Sequence, residues 1–136
     1  MIIVSRPPNF DAILAAFPDA DKAGVIFAFG NDIYNPAGHE IPSALLAHER
    51  VHCHRQSTDP EAWWAFYLGN PTFRYREELL AHVAEFRDQE ARYPDRNARA
   101  KLLHSTARRL IAPLYNYQPP RSLSQALRDL EQELHL

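Results

Sequence analysis

The chain moves between two hydrophobic periods, and the points of change mark out its elements. "MIIVS" is rich in β-branched residues and predicts a strand that "RPP" ends. "NFDAILAAF" predicts a short helix with Asn9 as its cap, and "GVIFAF" predicts a buried strand. Gly30-Asn31 is a tight-turn pair leading into "DIY", and "NPAGHEIP" reads as loop. A glycine-free run rich in good helix formers then predicts a helix over roughly 42–56, with Pro42 at its start. Asp59 as cap and Pro60 as first helical residue open an aromatic-rich helix that Gly69-Asn70-Pro71 ends. Over about 72–92, Leu79, Val83 and Phe86 form an apolar stripe at helical spacing, and "YPD" breaks the pattern. "DRNARAKLLHSTARRLIAPLY" predicts the next helix, and Ser122 with Gln125 predicts a capping box for "SLSQALRDLEQEL". A small N-terminal sheet followed mostly by helices is an α+β arrangement.

Composition narrows this without changing it. A chain of 136 residues, without repeats or low-complexity linkers, predicts one domain over 1–136. Hydrophobic content of 46% and a net charge of −2, with no charged tail, predict a soluble globular protein and argue against a nucleic-acid-binding surface. One cysteine excludes an internal disulfide and fits a reducing compartment. No apolar run approaches the roughly 20 residues of a membrane span. "MIIVSRPPNF" has neither the basic start nor the cleavage site of a signal peptide, so a cytoplasmic location is expected.

Candidate chemistry concentrates in "SALLAHERVHCHRQ", residues 43–56. Helix residues four apart share a face, so His48 and His52 project side by side and can reach one ion. Glu49 lies one step round, where it can face a water at the metal's open position without being a ligand. His54 is turned about 200° from His52, and Cys53 is also off the line, a lone thiolate without thiol partners. Catalytic zinc takes three protein ligands, so a third is needed. On the next long helix Glu78, His82 and Glu85 repeat along a polar face, and the small Ala81 permits close approach. Glu78 is the favoured third ligand, with Glu77, one step round, as the alternative. Trp63, Trp64, Phe66 and Tyr67 read as core or interface before substrate contacts. His39 and His104 carry no partner pattern.

"HERVH" followed by "EELLAH" resembles the gluzincin class of zinc peptidases, in which a second helix supplies a glutamate ligand. More narrowly, residues 24–90 look like small His-Glu-x-x-His proteins of bacteriophage genomes. Those proteins carry a strand and Tyr-Asn-Pro-x-Gly before the metal helix, and an Arg-Gln pair, a tryptophan-rich helix and a glutamate helix after it. The resemblance implies a compact zincin with a Zn2+ cofactor and a metal site between two helices. It also implies an edge strand that pairs with extended substrate, for which "GVIFAFGNDIY" is the candidate. His82 departs from the aspartate of thermolysin-like members. It is expected either to orient His48 or His52 through a hydrogen bond or to close the site as a fourth ligand.

The chemistry expected of such a site is peptide hydrolysis, with Glu49 as general base and Tyr115 as oxyanion donor, ahead of Tyr117. The partner would be a peptide or protein substrate. The rival expectation is a structural or adaptor protein of the virion, in contact with other phage particle proteins, with its zinc site vestigial or structural. A third reading, in which the motif is accidental, predicts no metal.

Overall fold

The computed structural model describes residues 1–135. The chain is α+β. Its strands are β1 (Ile2–Ile3), β2 (Phe27–Phe29) and β3 (Asp32–Tyr34). Its helices are α1 (Phe10–Ala16), α2 (Ser43–Gln56), α3 (Pro60–Gly69), α4 (Pro71–Glu90), α5 (Arg96–Leu110) and α6 (Leu123–Leu134). Short 3-10 turns occupy Pro18–Asp21 and Pro113–Tyr115. No helix among the described residues is long and apolar enough to cross a membrane.

The sheet order is β1-β3-β2, with β1 parallel to β3 and β2 antiparallel to it. Gly30 turns the β2–β3 hairpin at φ +63°, a left-handed conformation that glycine adopts without steric cost. Both predicted strands are longer than the observed ones: only Ile2–Ile3 of "MIIVS" and Phe27–Phe29 of "GVIFAF" pair. Ile33 and Asn35 donate their N–H groups to β1, so Ala28, opposite Ile33, faces the outer edge of β2. There its carbonyl accepts from Gln56 Nε2 at 2.9 Å and Trp64 Nε1 at 3.0 Å. Gln56 Oε1 accepts from Gly30 N at 2.6 Å, so the C-terminus of α2 is pinned to the hairpin.

The caps follow local chemistry, with two departures. Asp59, Asn70, Asp95 and Ser122 each accept an N–H from the residue three positions on. Asn9 stands before α1, but its side chain makes no cap bond. Gln125 completes only half of the expected box: its Nε2 donates to Asp129 instead of returning to Ser122.

Two apolar clusters flank the middle of the molecule. One joins α1 and the sheet to α3, through Phe10, Ile13, Phe17, Phe27, Trp63 and Tyr67. The other joins α4, α5 and α6, through Leu79, Val83, Ala107, Leu110 and Leu130. Burying each such side chain stabilises the fold by roughly 1.5–3 kcal/mol. Of all element pairs, α2 and α4 pack most extensively together. What α2 buries is mostly polar: Ala44, His48, Glu49, His52 and Gln56. Four of these recur every fourth residue and form one inward stripe. Polar groups at that depth require partners.

Candidate metal centre

His48, His52 and Glu78 are 4%, 5% and 2% exposed. The two Nε2 atoms lie 3.2 Å apart. Glu78 Oε1 is 3.0 Å from Nε2 of His48, and Oε2 is 3.0 Å from Nε2 of His52. A tetrahedral ion with bonds of roughly 2.0–2.1 Å has neighbouring ligand atoms roughly 3.3 Å apart. The separations between the two Nε2 atoms, and from each to its nearer Glu78 oxygen, are close to that spacing. Glu78 Oε1 is buried without a hydrogen bond. At that depth this oxygen faces the His48 imidazole, and a cation would satisfy it. The cluster fits a metal ion.

The charge pattern points the same way. Burial pulls the His48 imidazole down, but the Glu78 carboxylate, helped by Glu85, outweighs it and holds its pKa well above the usual range. Burial would raise Glu78, yet His52 and His48 hold its carboxyl well below the usual range. The carboxylate thus draws a positive charge onto His48, the charge that a metal would otherwise supply.

A second layer fixes these side chains. Nδ1 of His48 lies 2.6 Å from Glu85 Oε1. Glu85 Oε2 in turn accepts from Arg109 Nη2 at 3.1 Å and Nε at 3.3 Å. A hydrogen on Nδ1 donated to Glu85 leaves Nε2 of His48 as the lone pair facing His52 and Glu78. Burial opposes ionisation of Glu85, but its bond to His48 dominates and brings its carboxyl down to about 2. From α3, Tyr67 donates its hydroxyl to Glu78 Oε2 at 2.7 Å. Sequence reasoning placed Glu85 on the polar face of the helix without a role, and missed Tyr67 and Arg109. The signal for Glu85 was its position seven residues after Glu78, on the same face.

His82 belongs to the same buried histidine–glutamate cluster, but the orienting hydrogen bond expected of it is not made. Its Nδ1 donates to the Glu78 backbone carbonyl at 2.7 Å, so it orients neither ligand imidazole by hydrogen bonding. Its ring stands edge-on to His48, with centroids 4.7 Å apart. It also lies outside the His48–His52–Glu78 triangle and groups instead with His48 and Glu85. Burial, reinforced by His48, lowers its pKa to about 4, so it stays neutral.

Glu77 is otherwise engaged. Its carboxylate accepts from Arg55 Nε at 2.8 Å and from Trp63 Nε1 at 2.6 Å, so of the two glutamates it is Glu78 that faces the histidine pair. Cys53 points at the Asp32 carbonyl, 3.7 Å away, and burial raises its thiol to about 11. His54 and His39 are exposed. Trp63 and Trp64 are core residues, and Trp63 stacks on Tyr67 with centroids 4.9 Å apart.

The donor triangle opens into a cavity of about 350 Å³ that Glu49 and Tyr115 also line. Glu49 is buried, and among the described residues its carboxylate has no hydrogen-bonded partner. Burial pushes its pKa up, an effect only partly offset by His52 and His48. Tyr115 sits edge-on to His82 and stacks on Tyr117. Its phenol is held well above the usual range by burial and by Glu78, so it remains a donor. Tyr117 is unavailable for such a role, because its hydroxyl donates to the Leu110 carbonyl at 2.9 Å.

No protein-family model, curated protein or solved structure matches the chain.

Proposed function

We propose that this protein is a zinc-dependent peptidase, with His48, His52 and Glu78 as ligands and Glu49 as general base. The observation that carries this reading is a pairing within one cavity. Three donor groups converge there: the two Nε2 atoms lie 3.2 Å apart, and each is 3.0 Å from one oxygen of the Glu78 carboxylate. Beside them, Glu49 is a buried carboxylate bound to nothing. A purely structural site would have no use for such a group.

Two histidines and one glutamate suit zinc with an open position, and zinc there supplies Lewis acidity towards a carbonyl and a more acidic water. Glu49 accepts the proton of the attacking water and passes it to the leaving nitrogen. Glu49 lines the cavity beside the donor groups, where a carboxylate can take a proton and later return it. The Tyr115 hydroxyl donates to the carbonyl oxygen as negative charge develops there. Tyr67, Glu85 and Arg109 hold the ligand side chains in one orientation.

The test is elemental analysis followed by incubation with a broad peptide mixture, with and without 1,10-phenanthroline. One zinc per chain is expected, with cleavage that the chelator abolishes and added zinc restores. Absence of stoichiometric zinc after reconstitution would overturn the reading.

A further inference from the structure

The cavity beside the donor triangle has more wall than the chemistry needs. Apart from the ligands and the phenols of Tyr67 and Tyr115, its charged or ionisable lining is limited to Glu49, His82, Glu85 and Arg109. The rest is apolar or aromatic. Ile13 comes from α1, Phe17 from the residue that ends it, Ala20 from the following 3-10 turn, Val25 from the approach to β2, and Leu114 from the turn after α5. At about 350 Å³ the cavity stands at the lower end of the range of small-molecule sites, with room for a large side chain.

Apart from Glu49, the charges that line it are already committed. Arg109 is the only cationic side chain in the wall besides the imidazoles, and its guanidinium is bonded to Glu85. Glu78 faces the two histidines, and Glu85 is shared between His48 and Arg109. An acidic side chain or a free carboxylate entering here would lose its hydration and gain no counter-charge, and a basic one would meet only Glu49, beside the donor cluster and away from the apolar wall. An apolar one gains by burial against Phe17, Val25 and Leu114.

We propose that this apolar wall is a specificity pocket for a large uncharged side chain, aliphatic or aromatic, next to the cleaved bond of an internal peptide segment. The proposal rests on the peptidase reading for the word "cleaved", but the pocket itself can be read without turnover.

The experiment compares acetohydroxamate with 3-phenylpropanohydroxamate and its 4-carboxyphenyl analogue, titrated calorimetrically into zinc-loaded protein. The phenyl compound is expected to bind at least ~10-fold tighter than acetohydroxamate, and the carboxylated one to lose that advantage. In Val25→Trp, and independently in Leu114→Trp, the ratio of phenyl to acetyl affinity should fall towards one with zinc retained. Both positions are half-buried, so a larger ring can enter the cavity without displacing the core. Equal affinities in the wild type, or an advantage that survives both substitutions, would overturn the pocket. If neither hydroxamate binds although zinc is present, the open-position reading fails instead. The pocket is then decided by 3-phenylpropanamide, followed through Trp63 and Trp64 fluorescence. Saturable binding lost in both variants supports the pocket, and no binding overturns it.

Discussion

Glu85 Oε1 lies 2.6 Å from Nδ1 of His48, and this one contact decides which nitrogen of that histidine can meet a metal. Glu85→Gln keeps the length of the side chain but can present its amide group to Nδ1. It also removes the negative charge that holds the imidazole and Arg109 together. Zinc affinity should fall by roughly 10–100-fold, with the fold intact. Competition against a calibrated chelator measures this, and an unchanged affinity would remove Glu85 from the site.

The residues adjoining the ligands separate geometry from proximity. Glu78→Gln should abolish stoichiometric zinc. Glu77→Gln should keep it, because Glu77 serves Arg55 and Trp63. The Arg55 side chain is 42% exposed, so solvent screens the pair, and the loss of stability should be only about 1 kcal/mol. Cys53→Ser and His54→Ala should also leave metal content unchanged. Zinc lost from Glu77→Gln but kept in Glu78→Gln would reverse the assignment.

Much of this was legible because α2 and α4 are long and regular. A four-residue spacing commits His48 and His52 to one face whatever surrounds them. Choosing Glu78 over Glu77 was a matter of a single helical step, and only the Trp63 and Arg55 contacts remove the ambiguity. The roles of Glu85, Tyr67 and Arg109 depend on approach between different helices, about which spacing along one helix says nothing. The strands were overestimated because β-branched composition reports a preference, whereas pairing requires a partner edge. Only Ile2 and Ile3 have one on β3. Arg74 was illegible for a further reason: an arginine on a helix normally reads as a solvent-facing charge.

Arg74 is only 3% exposed, and its hydrogen-bond partners are all backbone carbonyls. It donates to Tyr67 at 2.6 Å, Tyr115 at 2.7 Å and Asn116 at 2.9 Å, and so joins the end of α3 to the turn carrying Tyr115. Arg74→Ala strands these acceptors and should cost about 3–5 kcal/mol in urea unfolding. Arg74→Lys should recover only a minor part, since an ammonium cannot reproduce the planar fork. A loss below ~1 kcal/mol for the alanine variant would contradict the role.

His48 also predicts a pH dependence. Its folded pKa is raised: burial opposes this, but Glu78 and Glu85 outweigh burial. In the metal-free protein that proton's contribution to stability is therefore full below the ordinary histidine pKa of ~6.5 and lost as pH rises through the raised value. Zinc needs the unprotonated ring, so its affinity should fall as pH falls, and binding near pH 7 should release about one proton. Calorimetry in buffers of different ionisation enthalpy measures the release; a heat independent of buffer would contradict it.

The most direct test of the central claim is turnover of a peptide mixture by zinc-loaded wild type and Glu49→Gln, with zinc content measured on the same samples. Glu49 touches no ligand, so the substitution should leave the metal in place. It removes the proton acceptor while keeping the size of the side chain. The account predicts equal zinc and hydrolysis reduced by at least ~10²-fold in the variant. Equal zinc with equal, or equally absent, hydrolysis would contradict it and leave a metal-bearing protein that is not a peptidase.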